Sequence, residues 1–370
     1  MIYLDNAATS FPKPKRVIRE VTKCITQYCG NPGRSSHKLS IAAADKIYET
    51  RELVADFLNI KKCENVIFTP NATYALNMVI KGLVNEKCHC IISDLEHNSV
   101  LRPLYKSLTK YGGEYSVFDT DGDICNSIDP LIRDDTKILI STLCSNVTGK
   151  IIDLNKLSSI AKKHNLKLII DTSQYIGHSV IDLSNIQYTA LCSAGHKSLF
   201  GIQGSSFAVI NDEELFDTLC EGGSGVDSFS TEMPILSPER YEAGTLSTPA
   251  IVALGSGLKY ISNVGIDNIE ERLYRLTYML EERLSCLNGI TIYKSGNGIL
   301  SFNIGNLPSS YIAGELDKYG ICTRGGIHCA PSVHRKLETL KQGAVRVSLS
   351  NLNKELEIDH FYKALKSIAF

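Results

Sequence analysis

The sequence has no tryptophan, only 4 methionines among 370 residues, and almost no excess of either charge. Lys and Arg together number 39, and Asp and Glu together number 40, so the formal net charge is -1. This balance argues against a protein that binds nucleic acid or an anionic membrane through a basic face. No apolar run reaches the ~18 residues of a membrane-spanning helix, so we expect no transmembrane segment.

The first ten residues, MIYLDNAATS, lack the apolar stretch of a secretory signal peptide, because Asp5 interrupts them. We therefore expect a cytoplasmic protein. Hydrophobic residues make up 43% of the chain and charged residues 21%. Those fractions are typical of globular proteins and exclude disordered, collagen-like and coiled-coil chains. At ~100–200 residues per domain, the length predicts about two domains.

In contrast to tryptophan and methionine, cysteine is well represented, with 12 residues in the chain. No two of these cysteines are spaced as Cys-x-x-Cys. A disulfide framework is not expected in a long chain that lacks a secretory signal. The closest pair, Cys88 and Cys90, flanks His89 and runs into apolar residues. We interpret this segment as the start of a buried strand and predict no metal site. Most of the thiols are expected to be small buried hydrophobic groups, and one or two to be reactive.

Short apolar runs alternate with helical spacing over most of the chain. The runs that predict strands are residues 65–69, 90–93, 137–142, 166–170, 188–192 and 205–210. Apolar spacing near 3.6 residues predicts helices over 72–83 and 155–164. This alternation predicts an α/β fold with a mostly parallel sheet and helices on both faces. Such sheets bind ligands in a crevice beyond the carboxyl ends of their strands.

The pattern changes after about residue 256. A long amphipathic helix is predicted over 265–287, followed by short strands at 298–304 and 344–349 and a terminal helix from residue 354. These elements predict a smaller α+β domain, with a boundary between residues 248 and 265. We therefore expect 15–255 to form the large domain, and 1–14 together with 256–370 to form the small one.

Polar side chains follow the predicted strands. Taken singly, each has an ordinary explanation, such as a helix cap or a solvated surface group. They are Thr73, His97, Asn146, Asp171, Gln174 and Lys197. Together they place a helix N-terminus, an imidazole, amides, a carboxylate and an amine around one crevice. Pyridoxal phosphate requires this set, because its phosphate, ring nitrogen and aldehyde need an anion site, a carboxylate and a lysine.

Ten segments in chain order carry a resemblance to a known family. They are YLDNAATSFPKP at 3–14, NPGRSSHKLS at 31–40, TPNATYALN at 69–77, LEHNSVLRP at 95–103, SNVTGKIIDL at 145–154, IIDTSQYIGH at 169–178, SAGHKSLFGIQG at 193–204, YEAGTLSTPA at 241–250, TRGGIHCAP at 323–331 and GAVRVSLSNLNKELEID at 343–359. The sequence resembles the class V (fold-type I) pyridoxal-phosphate enzymes, and among them the group II cysteine desulfurases and selenocysteine lyases. The resemblance implies a fold-type I transferase fold and conversion of L-cysteine to L-alanine with transfer of sulfur to an enzyme cysteine.

The resemblance also implies the cofactor contacts. Lys197 would bond covalently to the cofactor, and Asp171 would pair with its pyridine nitrogen. Gln174 would contact the ring hydroxyl. His97 would stack on the ring face and accept the substrate thiol proton.

The phosphate contacts follow in the same way. His196, Thr73 and the backbone of Ala72 would bind the phosphate within one subunit. Thr245 would reach the phosphate of a partner subunit, so a homodimer is implied. Two positions depart from the family pattern. Ala194 stands where many relatives carry a hydroxyl, which removes one expected phosphate contact, and Tyr74 stands where an acidic residue is common.

Substrate binding is implied for four residues. Asn146 and Arg346 would hold the substrate carboxylate, a task that suits a bidentate guanidinium better than an ammonium. Arg324 would line the same pocket, and His37 would face the substrate. The sulfur acceptor protein is not identifiable from the sequence. An iron–sulfur scaffold, a transfer protein, a tRNA-thiolating enzyme and a selenium pathway all stay open.

Cys329 distinguishes between the reactions that this family performs. By the resemblance it would attack the substrate sulfur and become a persulfide. His328 directly precedes it, Arg324 lies five residues earlier, and both would favour the thiolate. Cys322, seven residues earlier, is expected to be structural.

Several alternatives share parts of this pattern. Selenocysteine lysis would use the same site, whereas a class V aminotransferase, kynureninase or epimerase would not need Cys329. A scaffold that relays persulfide sulfur without efficient turnover would not need Lys197, Asp171 and Gln174 together. A nicotinamide-dependent dehydrogenase is disfavoured because no G-x-G-x-x-G follows the early strands.

Overall fold

The computed structural model describes residues 1–33, 35–211 and 216–369. The helices and strands of these residues are, in chain order, β1 (Ile2–Tyr3), α1 (Lys15–Lys23), α2 (Lys38–Leu58), β2 (Val66–Thr69), α3 (Ala72–Leu83), β3 (His89–Ser93), α4 (Asn98–Tyr111), β4 (Glu114–Phe118), α5 (Ile124–Ile128), β5 (Thr136–Thr142), α6 (Leu154–Lys163), β6 (Lys167–Asp171), β7 (Ala190–Ala194), β8 (Ser206–Ile210), α7 (Thr248–Val264), α8 (Ile266–Ser285), β9 (Ile290–Gly296), β10 (Ile299–Ile304), α9 (Ser309–Lys318), β11 (Ile321–Cys322), β12 (Arg324–Gly326), α10 (Pro331–Lys336), β13 (Ala344–Ser348) and α11 (Glu355–Ala369).

A seven-stranded sheet with the order β2-β8-β7-β6-β5-β3-β4 forms the centre of the fold. Pairing is parallel from β7 through to β4, and only β8 runs antiparallel to both of its neighbours. The central strands β6 and β7 are almost entirely buried, as expected where helices cover both faces of a sheet. The predicted α/β fold with a mostly parallel sheet is therefore confirmed.

Most predicted elements coincide with observed ones. Helix α3 has the predicted bounds, and β3 is a buried strand that begins at His89, as interpreted from the Cys88–Cys90 segment. The strand predicted at 188–192 instead runs over Ala190–Ala194, because its pairing with β8 continues to Ala194. Helix α7 was not predicted. It is buried on most sides, so apolar and polar residues do not alternate with the period of an amphipathic helix.

A second, four-stranded antiparallel sheet with the order β12-β13-β10-β9 follows the long helices α7 and α8. Strand β1 pairs with β11, so the N-terminus lies on the side of the molecule that holds this second sheet. That pairing supports the expected grouping of 1–14 with 256–370. The division at residue 255 stays a proposal, and it falls inside the continuous helix α7.

The carboxyl ends of the aligned strands define one edge of the seven-stranded sheet. Strand β2 runs in the same direction as β7, because β8 is antiparallel to both. The segments that follow these strands are 70–73, 94–99, 143–149, 172–174 and 195–197. The polar residues predicted to share a crevice therefore meet at this edge.

Within the described ranges, no helix is both long enough and apolar enough to cross a bilayer.

Candidate active site

A cavity of about 250 Å³ lies at the carboxyl edge of the seven-stranded sheet. The predicted site residues that line it are Ala72, Thr73, His97, Asn146, Asp171, Gln174, His196, Lys197, Arg324 and Arg346. Three other predicted residues, Cys329, Thr245 and His37, do not line it. The structure thus brings together ten of the thirteen predicted positions, although they are spread over 275 residues of sequence.

Lys197 is the amine of the cavity and lies in the turn that follows β7. Burial lowers its pKa from 10.5 to about 8, and although Asp171 opposes this shift, the guanidinium groups of Arg346 and Arg324 add to it. An amine with this pKa is partly unprotonated near neutral pH. Lys197 can therefore act as a nucleophile and as a proton acceptor.

The Lys197 turn is held by the N-terminal segment. The carbonyl of His196 accepts hydrogen bonds from the Ser10 backbone N–H at 3.1 Å, the Thr9 hydroxyl at 3.1 Å and the Lys13 Nζ at 2.8 Å. The Thr9 hydroxyl also contacts His196 Nδ1 at 3.0 Å. Burial, with Lys197 and Lys13 nearby, lowers the pKa of His196 to about 4, so its ring is neutral. These contacts were not predicted, although residues 9–13 belong to the first segment that resembles the family.

Asp171 ends β6 and lies buried in the cavity wall. Its Oδ1 accepts a hydrogen bond from the Ser173 backbone N–H at 2.9 Å, which orients the carboxylate. Gln174, one turn further, donates through Nε2 to the carbonyl of Ala7 at 2.9 Å. Because Nε2 is the donor in this bond, the amide orientation of Gln174 is defined. Its amide oxygen is then the hydrogen-bond acceptor that Gln174 offers at the cavity wall.

His97 caps the N-terminus of α4, where Nδ1 accepts the Ser99 backbone N–H at 3.1 Å. Burial lowers its pKa to about 4, with Lys197 adding to the shift. The neutral ring therefore carries its hydrogen at Nε2. In this form Nε2 donates a hydrogen bond and does not accept a proton. Both predicted roles of His97, stacking on the ring face and accepting the substrate thiol proton, stay predictions.

The N-terminus of α3 forms one wall of the cavity. Asn71 caps this helix by accepting the Tyr74 backbone N–H at 2.8 Å. Ala72 and Thr73 belong to the first turn, whose N–H groups have no intrahelical acceptor. This arrangement, together with the positive end of the helix dipole, suits a phosphate group.

Two arginines bring positive charge to the other wall. Arg324 on β12 and Arg346 on β13 lie directly opposite each other in the four-stranded sheet. Arg346 donates to the Asn146 carbonyl at 3.0 Å and to Asp5 Oδ1 at 2.8 Å, and its side chain is only 2% exposed. Two facing guanidinium groups repel each other unless an anion lies between or beside them. The pair therefore suits a substrate carboxylate.

Asp5 is the residue of this wall that sequence reasoning missed. Its carboxylate neutralises part of the charge on Arg346, and a buried arginine requires such a partner. The Nε of Arg346 is buried, and no hydrogen-bond acceptor for it is found within the described parts of the chain.

Cys329 lies one residue beyond the cavity wall. His328 is buried and lines the cavity, whereas Cys329 is exposed. Both residues have positive φ, 52° and 57°, a conformation that side chains other than glycine rarely adopt. Their carbonyls accept hydrogen bonds from the Asn146 side chain at 2.7 Å and the Asn98 backbone N–H at 2.8 Å. The loop is thus fixed to the cavity while its thiol remains open to solvent.

Thr245 and His37 are both exposed and away from the cavity of their own chain. Glu242, three residues before Thr245, is anchored by two hydrogen bonds from Arg51, at 3.0 and 2.8 Å. His37 caps helix α2 by accepting the Ser40 backbone N–H at 3.2 Å. Their predicted roles in phosphate and substrate binding stay predictions, and that of Thr245 requires a second subunit.

Comparison with known proteins identifies the class. Residues 2–361 match the family model for aminotransferase class-V, so the chain belongs to that family. The resemblance predicted from the ten sequence segments is confirmed.

The similar curated proteins are more specific in their names. A probable cysteine desulfurase of Methanothermobacter thermautotrophicus is 31% identical over the whole chain and 94% of its own length. A probable cysteine desulfurase of Borreliella burgdorferi is 32% identical over the whole chain and 92% of its length. Among solved structures, the apo cysteine desulfurase of Thermococcus onnurineus NA1 matches with a TM-score of 0.91 at 28% identity, covering 100% of this chain and 94% of that one.

The lowered pKa of Lys197 leads to a measurable pH dependence. In the cofactor-free protein, acylation of Lys197 by an amine-directed reagent should rise about tenfold per pH unit below 8 and level off above it, because only the free amine reacts. Peptide mapping of the labelled lysine across pH 6–11 measures the midpoint.

An Asp171→Asn variant serves as the control for this titration. Asp171 raises the pKa of Lys197, so its neutralisation should move the midpoint downward. A native midpoint near 10.5, or an upward shift in the variant, would contradict the described electrostatics.

Proposed function

We propose that this protein is a pyridoxal-phosphate-dependent cysteine desulfurase, which converts L-cysteine to L-alanine and receives the sulfur on Cys329. The observation that carries the proposal is an exposed thiol fixed one residue beyond a cavity that contains a lysine and a buried carboxylate. Full-length relatives with about 30% identity bear the name cysteine desulfurase. A class V aminotransferase would not require a thiol at this position.

The residues present fit pyridoxal phosphate, the cofactor of this family. The cavity combines the helix N-terminus at Ala72 and Thr73, the Asp171 carboxylate and the Lys197 amine. The hydroxyl of Ser173 lines the same cavity and is buried without a hydrogen-bond partner among the residues that the structure describes. We propose that the phosphate lies at the start of α3, the ring nitrogen against Asp171 and the aldehyde carbon at Lys197.

The mechanism assigns one task to each residue. When bound, the cofactor withdraws electron density from the substrate and so acidifies its Cα–H bond. Lys197 Nζ, kept partly unprotonated by burial, accepts this proton and returns it during the reaction. Arg346 and Arg324 hold the substrate carboxylate through charge-assisted hydrogen bonds.

Sulfur transfer is assigned to Cys329. Its thiolate attacks the sulfur of the bound cysteine, so that an S–S bond forms as the Cβ–S bond breaks. The electron pair of the broken bond remains on the carbon skeleton, which takes up a proton and leaves as alanine. No external oxidant is needed, because the sulfur atom is transferred at the expense of the Cβ–S bond.

We further propose a homodimer and a protein sulfur acceptor. The exposed position of Thr245, on a turn anchored by the Arg51–Glu242 ion pair, supports contact with the phosphate site of a second subunit. The exposed thiol of Cys329 supports sulfur delivery to an acceptor protein, since a partner can approach it without entering the cavity.

The test is product analysis with purified protein that has been loaded with pyridoxal phosphate. With L-cysteine we expect alanine and transferred sulfur in equal amounts, the sulfur being held as the Cys329 persulfide without reductant and released as sulfide when an excess of a thiol reductant is added. Amino transfer to a 2-oxo acid without sulfur release would favour the aminotransferase alternative. Failure to bind the cofactor would favour the sulfur-relay scaffold. A parallel assay with L-selenocysteine compares the two substrates directly.

A further inference from the structure

We propose that Lys336, at the end of the short helix α10, is a positioning residue that holds the Cys329 loop against the edge of the seven-stranded sheet. The inference rests on the proposed function to the extent that Cys329 is the nucleophile. It concerns a set of charged residues outside the cavity, and it explains how an exposed thiol can keep a defined position.

Lys336 is surrounded by carboxylates from the segments that follow β3 and β4 at the carboxyl edge of the seven-stranded sheet. Its Nζ lies 2.6 Å from Asp94 Oδ2, 2.5 Å from Asp119 Oδ1 and 2.8 Å from Asp121 Oδ2. Asp94 directly follows β3, and the other two carboxylates follow β4. The side chains of Lys336 and Asp94 are 30% and 13% exposed, so water screens their interaction only in part.

Two further lysines complete this group, which we call the Lys336 cluster: Asp94, Asp119, Asp121, Lys150, Lys294 and Lys336. Asp121 Oδ1 lies 2.7 Å from Lys150 Nζ and 2.5 Å from Lys294 Nζ. Three lysines thus balance three aspartates, and the cluster joins α10 and β9 to the segments that follow β3, β4 and β5. A network of this kind is stronger than an isolated surface ion pair.

The electrostatics of the cluster agree with its geometry. Burial opposes the charge on Lys336, but the hydrogen bonds that its Nζ donates to Asp119, Asp121 and Asp94 outweigh this effect and raise the pKa of the amine. Hydrogen bonds from Lys150, Lys294 and Lys336 lower the pKa of Asp121. Lys336 and Asp121 therefore both carry their charges at neutral pH.

The cluster acts on Cys329 through a short rigid connection. Helix α10 has 6 residues and begins at Pro331, two residues after Cys329. At ~1.5 Å per residue, its two ends are less than about 10 Å apart, so an anchor at Lys336 restricts the loop at its other end. The left-handed backbone of His328 and Cys329 persists only where surrounding contacts hold it.

Besides the contact of His328 Nε2 with the Ala344 carbonyl at 2.9 Å, three anchors fix the loop. The Asn146 side chain holds the His328 carbonyl, the Asn98 backbone N–H holds the Cys329 carbonyl, and the Lys336 cluster holds the end of α10. The first two act on the loop itself. The third is the only one of these that a surface substitution can remove without touching the cavity.

The experiment compares Lys336→Met with Lys336→Arg and with Lys318→Met, a matched control that removes an exposed ion pair to Glu315 on α9. In holoenzyme, Lys336→Met should lower kcat for L-cysteine about tenfold and change KM less than about twofold, because the carboxylate-binding residues are untouched. Amide hydrogen exchange of the peptide covering 324–336 should rise about tenfold. Lys336→Arg should restore both values, and Lys318→Met should resemble the native protein.

Three results would overturn the proposal. They are native-like exchange in Lys336→Met, an equal effect of Lys318→Met, and loss of activity with a lowered Tm that arginine does not rescue. If the native protein does not desulfurate cysteine, the proposed function fails. The exchange measurement still decides whether Lys336 anchors the loop, so the two failures can be told apart.

Discussion

Replacement of Lys197 by alanine is expected to lower turnover of L-cysteine by about 10⁴-fold or more. The substitution removes both the amine that would bond to the cofactor and the group that moves the Cα proton, and a positioned acid–base group alone contributes about 10²–10⁴-fold. Alanine formation in a single-turnover assay measures the loss. The absorbance of the bound cofactor reports independently whether the covalent attachment has gone.

The variant should fold normally, because burial disfavours the charged amine and its removal relieves that cost. Circular dichroism and Tm check this point. Lys163→Ala is a suitable control, since Lys163 is exposed and pairs with Asp129 on the surface. Native-rate alanine formation by Lys197→Ala would show that Lys197 is not the reactive amine.

Replacement of Cys329 by alanine should separate sulfur from selenium chemistry. Desulfuration of L-cysteine should fall by about 10³-fold, because the substrate sulfur loses the nucleophile that accepts it. Lysis of L-selenocysteine should stay within about tenfold of native, since a selenol ionises more readily than a thiol and leaves without transfer to the enzyme. Alanine release from the two substrates under identical conditions measures both effects.

The control for this variant is Cys286→Ala, which removes an exposed thiol far from the loop in sequence. Alanine and cysteine both carry a Cβ and pay a similar steric cost at positive φ. Cys329→Ala should therefore leave the loop conformation unchanged. Equal desulfuration by native protein and Cys329→Ala would eliminate Cys329 as the sulfur acceptor. Simple elimination or selenocysteine lysis would then be the better hypothesis.

The central elements could be predicted because their signals are local. Helix α3 and strands β5 and β6 show clear apolar periods between recognisable caps, and their bounds agree with the prediction to within one or two residues. Helix α7 could not be predicted in this way. It is buried on most sides, so its sequence carries no alternation between an apolar and a polar face.

The cavity could be predicted in outline for a topological reason. In a parallel sheet the carboxyl ends of the strands share an edge, so polar residues after successive strands must approach one another. Asp171, Lys197 and His97 were located by this rule, and the family resemblance added Arg346 from the second sheet. The protonation states of Lys197 and His97 could not be predicted, because they depend on burial and on the charges gathered around them.

The sequence by itself determined the α/β class, the ligand-binding edge of the sheet, the family and the residue types of the site. These follow from local periodicity, strand order and motif spacing. Only the tertiary structure decided that Asp5 neutralises Arg346, that residues 9–13 hold the Lys197 turn, and that Cys329 lies outside the cavity with Lys336 anchored to Asp94. Those contacts join residues more than 180 positions apart, and nothing in the local sequence encodes which distant partners the folded chain brings together.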